Sequence, residues 1–266
     1  METTLSSQEN HRYLREKAGC FFLDDLCLVS AKGSDLFSYL QTQTTNDVSK
    51  LKPGQGQNSA IVDRKAKIIA TFSIHRTSEE SAVILVETKQ KENLINHLES
   101  FLFREDVNLT SSDFFLLALQ GPKSSKAIEN FISDSKLIPE KPNDISQFEF
   151  EKKTALAINK LLTGEEGCVM AFPAIIKETI IQKLEDAQKQ HLLVKIESHT
   201  REVLRIESGI PSYGIDMDEK NILPETGLEH SSVSYNKGCY IGQEVIARIK
   251  TYGAPNFALM GLIIEG

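Results

Sequence analysis

The amino-acid sequence predicts an α+β protein made of two adjacent split βαβ units. Three observations carry this. Short apolar runs of strand type are interleaved with runs of helical spacing, the order strand, helix, consecutive strands, helix occurs twice in the manner of a split βαβ unit, and 266 residues with 40% hydrophobic content can supply two modest cores. Each sheet would bury one face against its own helices. No residue-level repeat links the two units, so the duplication is one of architecture.

In the first unit, 26–30 reads as a short strand. Gly33, Ser34 and Asp35 then supply a turn and cap, and Leu36, Phe37, Tyr39 and Leu40 have helical spacing. Beyond the Pro53-Gly54 turn, 58–63, 67–75 and 82–87 read as strands separated by polar breaks. A helix over 91–102 places Leu94, Leu98 and Leu102 on one face. In the second unit 114–119 is a strand, and Gly121-Pro122 opens a helix over 123–131. Residues 154–158 and 168–172 are strands. Pro173 precedes an amphipathic helix bearing Ile176, Ile180, Leu184 and Ala187, and 192–196 closes the unit. A short helix over 201–208 ends at Gly209, after which 210–227 is mostly loop, fixed by Pro211, Gly214, Pro224 and Gly227.

Composition narrows the function. With 25% charged residues, 15 glycines and 8 prolines the chain is neither disordered nor fibrous. No apolar run is long enough to cross a bilayer, and a net charge of -7 argues against a general nucleic-acid or anionic-membrane surface. Neither class of partner is expected. The 4 cysteines, at 20, 27, 168 and 239, include no C-x-x-C pair, which excludes a disulfide scaffold and a zinc site. The 6 histidines lack H-x-x-x-H spacing, so no metal site is expected, and Gly54-Gln55-Gly56 is a turn. The N-terminal residues lack the apolar segment of a secretory signal, which leaves the cytoplasm as the expected compartment.

The most informative stretch is 237–244, KGCYIGQE. Ile241, Val245, Ile246 and Ile249 suit a helix beginning at Cys239. That would set the thiol at a helix N-terminus, two residues after Lys237, where both features favour a thiolate. Gln243 and Glu244 would lie in the first turns. The competing reading is that an isolated cysteine is a small buried hydrophobe and Lys237 a solvated charge. Cys20, Cys27 and Cys168 sit in apolar surroundings and read as core.

This stretch resembles the K-G-C-Y-x-G-Q-E signature of the YgfZ family, folate-binding proteins related to the glycine-cleavage T-protein (aminomethyltransferase). Residues 33–48 (GSDLFSYLQTQTTNDV), 118–122 (ALQGP) and 205–216 (RIESGIPSYGID) resemble further family segments in the right order. The resemblance implies two ferredoxin-like domains and a C-terminal β-barrel around a central tetrahydrofolate pocket. The domains expected are 1–110, completed by 199–245, then 111–198, with 246–266 as the start of a barrel that is largely missing.

Departures from the aminomethyltransferase pattern bear on activity. Where those enzymes carry an Asp-Asp pair this chain has Ala70-Thr71, and their pterin-binding glutamate is replaced by Val169. Neither Ala70 nor Val169 can accept a proton or a hydrogen bond, which argues against carboxylate-assisted aminomethyl transfer. The arginine of their R-D-x-L-R segment remains as Arg201. The resemblance therefore implies a tetrahydrofolate-binding protein acting on iron–sulfur clusters of client enzymes, with assembly factors as further partners. In that role Cys239 and Lys237 would be catalytic, and Arg201, Arg205, Tyr240, Gln243, Glu165 and Asp47 would bind the cofactor. The alternatives are a folate-dependent one-carbon transferase using Asp47 or Glu165, and a non-enzymatic folate-binding scaffold in which the cysteine motif only braces the fold.

Overall fold

A computed structural model describes residues 7–132, 137–190 and 193–264. In chain order the elements are α1 Ser7–Glu16, β1 Gly19–Phe22, β2 Leu26–Lys32, α2 Leu36–Gln43, β3 Gly56–Val62, β4 Ile68–Arg76, β5 Ser81–Glu87, α3 Lys91–Ser100 and β6 Asn108–Ser111. They continue with β7 Phe114–Gln120, α4 Ser124–Ile132, β8 Ile145–Phe150, β9 Lys153–Asn159, β10 Gly167–Pro173, α5 Lys177–Lys189, β11 Val194–Lys195, α6 Ser198–Glu207, α7 Glu229–Ser232 and α8 Gln243–Tyr252. No described helix is long and apolar enough to cross a membrane.

The α+β class is as expected, and the chain divides into two compact units. One holds the residues up to Asp24 together with Asp113–Ile210, and the other holds Asp25–Ser112 and the residues from Pro211 onward. The first has a six-stranded sheet, β11-β1-β7-β10-β9-β8, and the second a five-stranded sheet, β3-β4-β5-β2-β6. In each unit a strand is followed by a helix, a three-stranded meander, a second helix and a closing strand.

The domain boundaries differ from those expected. The N-terminal stretch belongs to the unit of 113–210 because β1 pairs antiparallel with β7 and parallel with β11. Pairing with distant strands is invisible to local periodicity. The polar β6 was missed for the same reason. Its sequence, NLTS, lacks apolar alternation, and it is held by pairing with β2. Residues 246–252 are the body of α8, and 253–264 contain no strand, so the described residues do not begin a barrel there. The closing strand expected over 192–196 is observed at Val194–Lys195; Leu192 lies outside the described residues.

The five-stranded sheet is the scaffold for the motif. Strand alternation sends Ala70, Phe72 and Ile74 of β4 into a core with Leu36 and Leu40 of α2 and Leu94 and Leu98 of α3. Burying each such leucine contributes about 1.5–3 kcal/mol. A second core joins Ala60, Val62, Ala66 and Ile68 of β3, its turn and β4 to Tyr213, Met217, Leu223, Tyr240 and Ile246. The loop-rich stretch after Pro211 is thereby packed onto β3 and the start of β4.

Candidate functional site

The site in the second unit starts from the end of α2. A helix C-terminus leaves carbonyls without intrahelical partners, and cationic side chains suit them. Thr44 caps α2 in an extended conformation, and its Oγ1 donates to Leu40 O at 2.9 Å. Lys237 Nζ donates to Thr44 O at 2.5 Å and to Asn46 O at 2.9 Å, and lies 5.1 Å from the centre of the Tyr240 ring. Burial lowers the Lys237 pKa to about 8, against the attraction of Asp47.

The turn is tied down at each residue. Thr45 Oγ1 donates to Ser232 O at 2.6 Å and accepts from Ala60 N at 3.0 Å, while Ser234 N donates to Thr45 O. Asn46 Nδ2 donates to Asn58 O and Ser231 O. Asp47 Oδ1 accepts from Gln41 Nε2 at 3.0 Å and Ser49 Oγ at 2.6 Å, and Oδ2 meets Lys50 Nζ at 2.7 Å. Burial pushes the Asp47 carboxyl up, but Lys50, Ser49 and Gln41 outweigh it and hold the pKa at about 2.

Within 237–244 the helix starts later than expected. Gly242 is the N-cap of α8 with φ 82°, and a Cβ there would meet Asp63 O at 2.5 Å. Only glycine meets both conditions. Cys239 therefore lies three residues before the cap, outside the helix, and its side chain is exposed. The helix-terminal placement expected for the thiol is thus corrected, and the Lys237 ammonium is engaged by carbonyls. Tyr240 is buried, and burial with the Glu229 charge pushes its hydroxyl up to about 12. Gln243 opens α8, its N–H donating to Tyr240 O. Cys20 and Cys168 are buried in the first unit's core, their thiols raised to about 12 by burial, and the half-buried Cys27 donates to Val86 O.

The remaining expected residues lie in the first unit. Glu165 accepts from Arg15 Nη1 at 2.5 Å, and Arg15 Nη2 reaches Glu207 at 2.7 Å. Arg205 pairs in two places with Glu202 and donates to Ile210 O at 2.9 Å. In this arrangement its guanidinium ties α6 to the chain just beyond it. The Arg201 guanidinium lies 5.5 Å from the centre of the Phe21 ring. Val169 is fully buried in β10, opposite Ala118 and Ile158.

Sequence reasoning missed Gln120, which is fully buried and orders the loop before β10, accepting from Leu162 N and donating to Lys160 O. Its place in ALQGP was the available signal. It also missed Gln90, fully buried, whose Oε1 accepts from Thr71 Oγ1 at 3.3 Å and whose Nε2 has no hydrogen-bond partner among the described residues. Ala70 lies in the core with α2 and α3. No group of three or more His, Cys, Asp or Glu placed to hold a metal ion occurs among the described residues.

A family model described as the GCVT N-terminal domain matches residues 2–237. The aminomethyltransferase of Halalkalibacterium halodurans is 32% identical over 266 residues, covering 97% of this chain and 70% of that protein. That of Thermoanaerobacter pseudethanolicus is 26% identical over 251 residues, covering 91% of this chain and 66% of that protein. A crystal structure of glycine cleavage system aminomethyltransferase T from Bartonella henselae superimposes with a TM-score of 0.82 at 21% identity, over 93% of this chain and 67% of that one. At that identity the likeness is one of fold.

Proposed function

Because this chain belongs to the GCVT N-terminal domain family, we propose that it binds a tetrahydrofolate derivative and handles the one-carbon group that the derivative carries. The single observation behind this is the 32% identity to an aminomethyltransferase over 97% of the chain. The residues present fit a folate in part. Gln90 holds a buried amide N–H that lacks a partner among the described residues, beside Thr71, and a pterin offers acceptors for such a donor.

The chain's own groups set limits on the chemistry. Positions 70 and 71 carry no acid, and Asp47 is the carboxylate available in the second unit's site. Held at about 2, it stays ionised at neutral pH, so its part is to accept an N–H or to stabilise a cationic amine, and it does not take up a proton. When bound, the folate would supply the one-carbon carrier.

Titration calorimetry with tetrahydrofolate tests the reading. Saturable binding near one per chain supports it, and the absence of binding heat at two temperatures rejects it. The Asp47→Asn variant should bind more weakly.

A second reading, the YgfZ-like role on iron–sulfur clusters of client proteins, is favoured by one observation, the exposed Cys239 within KGCYIGQE. Such clusters need several thiolates, so this thiol would act transiently on a client. Loss of client enzyme activity in Cys239→Ala with folate binding intact supports it. The scaffold reading fits Lys237, Tyr240 and Gly242, which brace the fold, and leaves the exposed thiol without a purpose.

A further inference from the structure

We propose that Lys237 is a positioning residue acting through Asp47: by bracing the Thr44 and Asn46 carbonyls it holds the turn that presents Asp47 Oδ2 to an N–H-bearing amine of the ligand, and Lys50 is the group displaced. The proposal rests on the folate reading and gives Lys237 a task separate from the thiol.

Geometry carries the argument. Lys237 reaches both carbonyls that flank Thr45, so its ammonium spans the turn preceding Asp47. Downstream, Gln41 Oε1 accepts from Val48 N and Ser49 N while Gln41 Nε2 donates to Asp47 Oδ1. Asp47 Oδ1 is thus locked from the chain side by neutral donors. Oδ2 differs, because its neighbour there is Lys50. The Lys50 side chain is 73% exposed, against 9% for Asp47. An ion pair to so exposed a lysine contributes little and exchanges readily. Its ammonium, 2.7 Å from Oδ2, marks a position beside that oxygen that an amine occupies.

A double-mutant cycle in the full chain, read by calorimetry with tetrahydrofolate, tests this. Lys237→Met keeps the aliphatic stem against Tyr240 and removes the ammonium. If Lys237 acts through Asp47, Asp47→Asn and Lys237→Met each weaken binding about tenfold and the double variant also about tenfold, whereas additive loss near a hundredfold overturns the proposal. Lys237→Arg, which retains donors, restores most of the affinity, and failure to do so counts against it. Lys50→Ala tightens binding about threefold by removing a competitor, and weaker binding overturns the displacement.

Should the unmodified protein take up no tetrahydrofolate, the folate reading fails while the positioning remains measurable. Hydrogen exchange at the Asp47 and Val48 amides then rises in Lys237→Met and not in Lys237→Arg. Unchanged exchange in both overturns the bracing.

Discussion

Lys237 and Thr44 are 193 residues apart in the chain, yet the lysine ammonium donates to the threonine carbonyl at 2.5 Å. With the bond to Asn46 O, this joins the TTND turn to the KGCYIGQE stretch. The two most informative segments of the sequence are therefore parts of one hydrogen-bonded structure. Its rigidity, its exposed Cys239 and the shifted Asp47 and Lys237 lead to the following expectations.

Gly242→Ala should destabilise the protein by about 2–4 kcal/mol, because the new Cβ meets backbone in a left-handed conformation. Gly209 supplies the control. Its φ is 65° with nothing within 4 Å of an added Cβ, so Gly209→Ala should cost about 1 kcal/mol. Urea denaturation of both variants measures the difference, and equal losses would show that contact with Asp63 O is immaterial.

Iodoacetamide on the native protein should modify Cys239 first. Cys27, half-buried and bonded to Val86 O, should react slowly, and the buried Cys20 and Cys168 only on unfolding. Peptide mass spectrometry reads the order. Early modification of Cys168 would contradict the packing of β10.

Asp47 should contribute to acid stability. Its folded pKa, about 2, is depressed below the usual carboxylate value. The contribution is therefore complete above about pH 4 and is lost as pH falls from there toward 2. Solvent screening at Lys50 keeps it on the order of 1 kcal/mol. Asp47→Asn should flatten that part of the stability profile, measured by denaturant midpoints from pH 2 to 5, relative to the unmodified chain.

Lys237 should show the opposite side of the scale. Burial brings its folded pKa down to about 8, from 10.5, so between those values the unfolded chain binds the extra proton. Its linkage term then favours folding more as pH rises through that window. The stability of the unmodified protein minus that of Lys237→Met should increase from pH 7.5 to 10. A difference that stays constant or falls would mean that the ammonium is not desolvated by the fold.

Much of the architecture was legible in local pattern. The continuous apolar runs of β5, β9 and β10, buried on both faces, and the four-residue spacing of Leu94 and Leu98 in α3 mark elements that are buried wherever they end up. The start of α8 was misjudged by four residues. Ile241 continues the apolar spacing, but Gly242 takes a left-handed conformation that ends any upstream helix. The Arg205 ion pair had a local signal too, since Glu202 precedes the arginine by three residues.

Periodicity and composition alone established an α+β chain, most of its strands and helices, and the stretch on which to concentrate. They did so because burial of alternate or every third to fourth side chain is a local property. Three-dimensional packing decided where these side chains go: Lys237 to main-chain carbonyls of a distant turn, Arg205 to Glu202 and Ile210 O, and Cys239 to solvent. A cation near a carbonyl is favoured wherever the fold brings the two together, and no spacing along the chain encodes which carbonyl that will be.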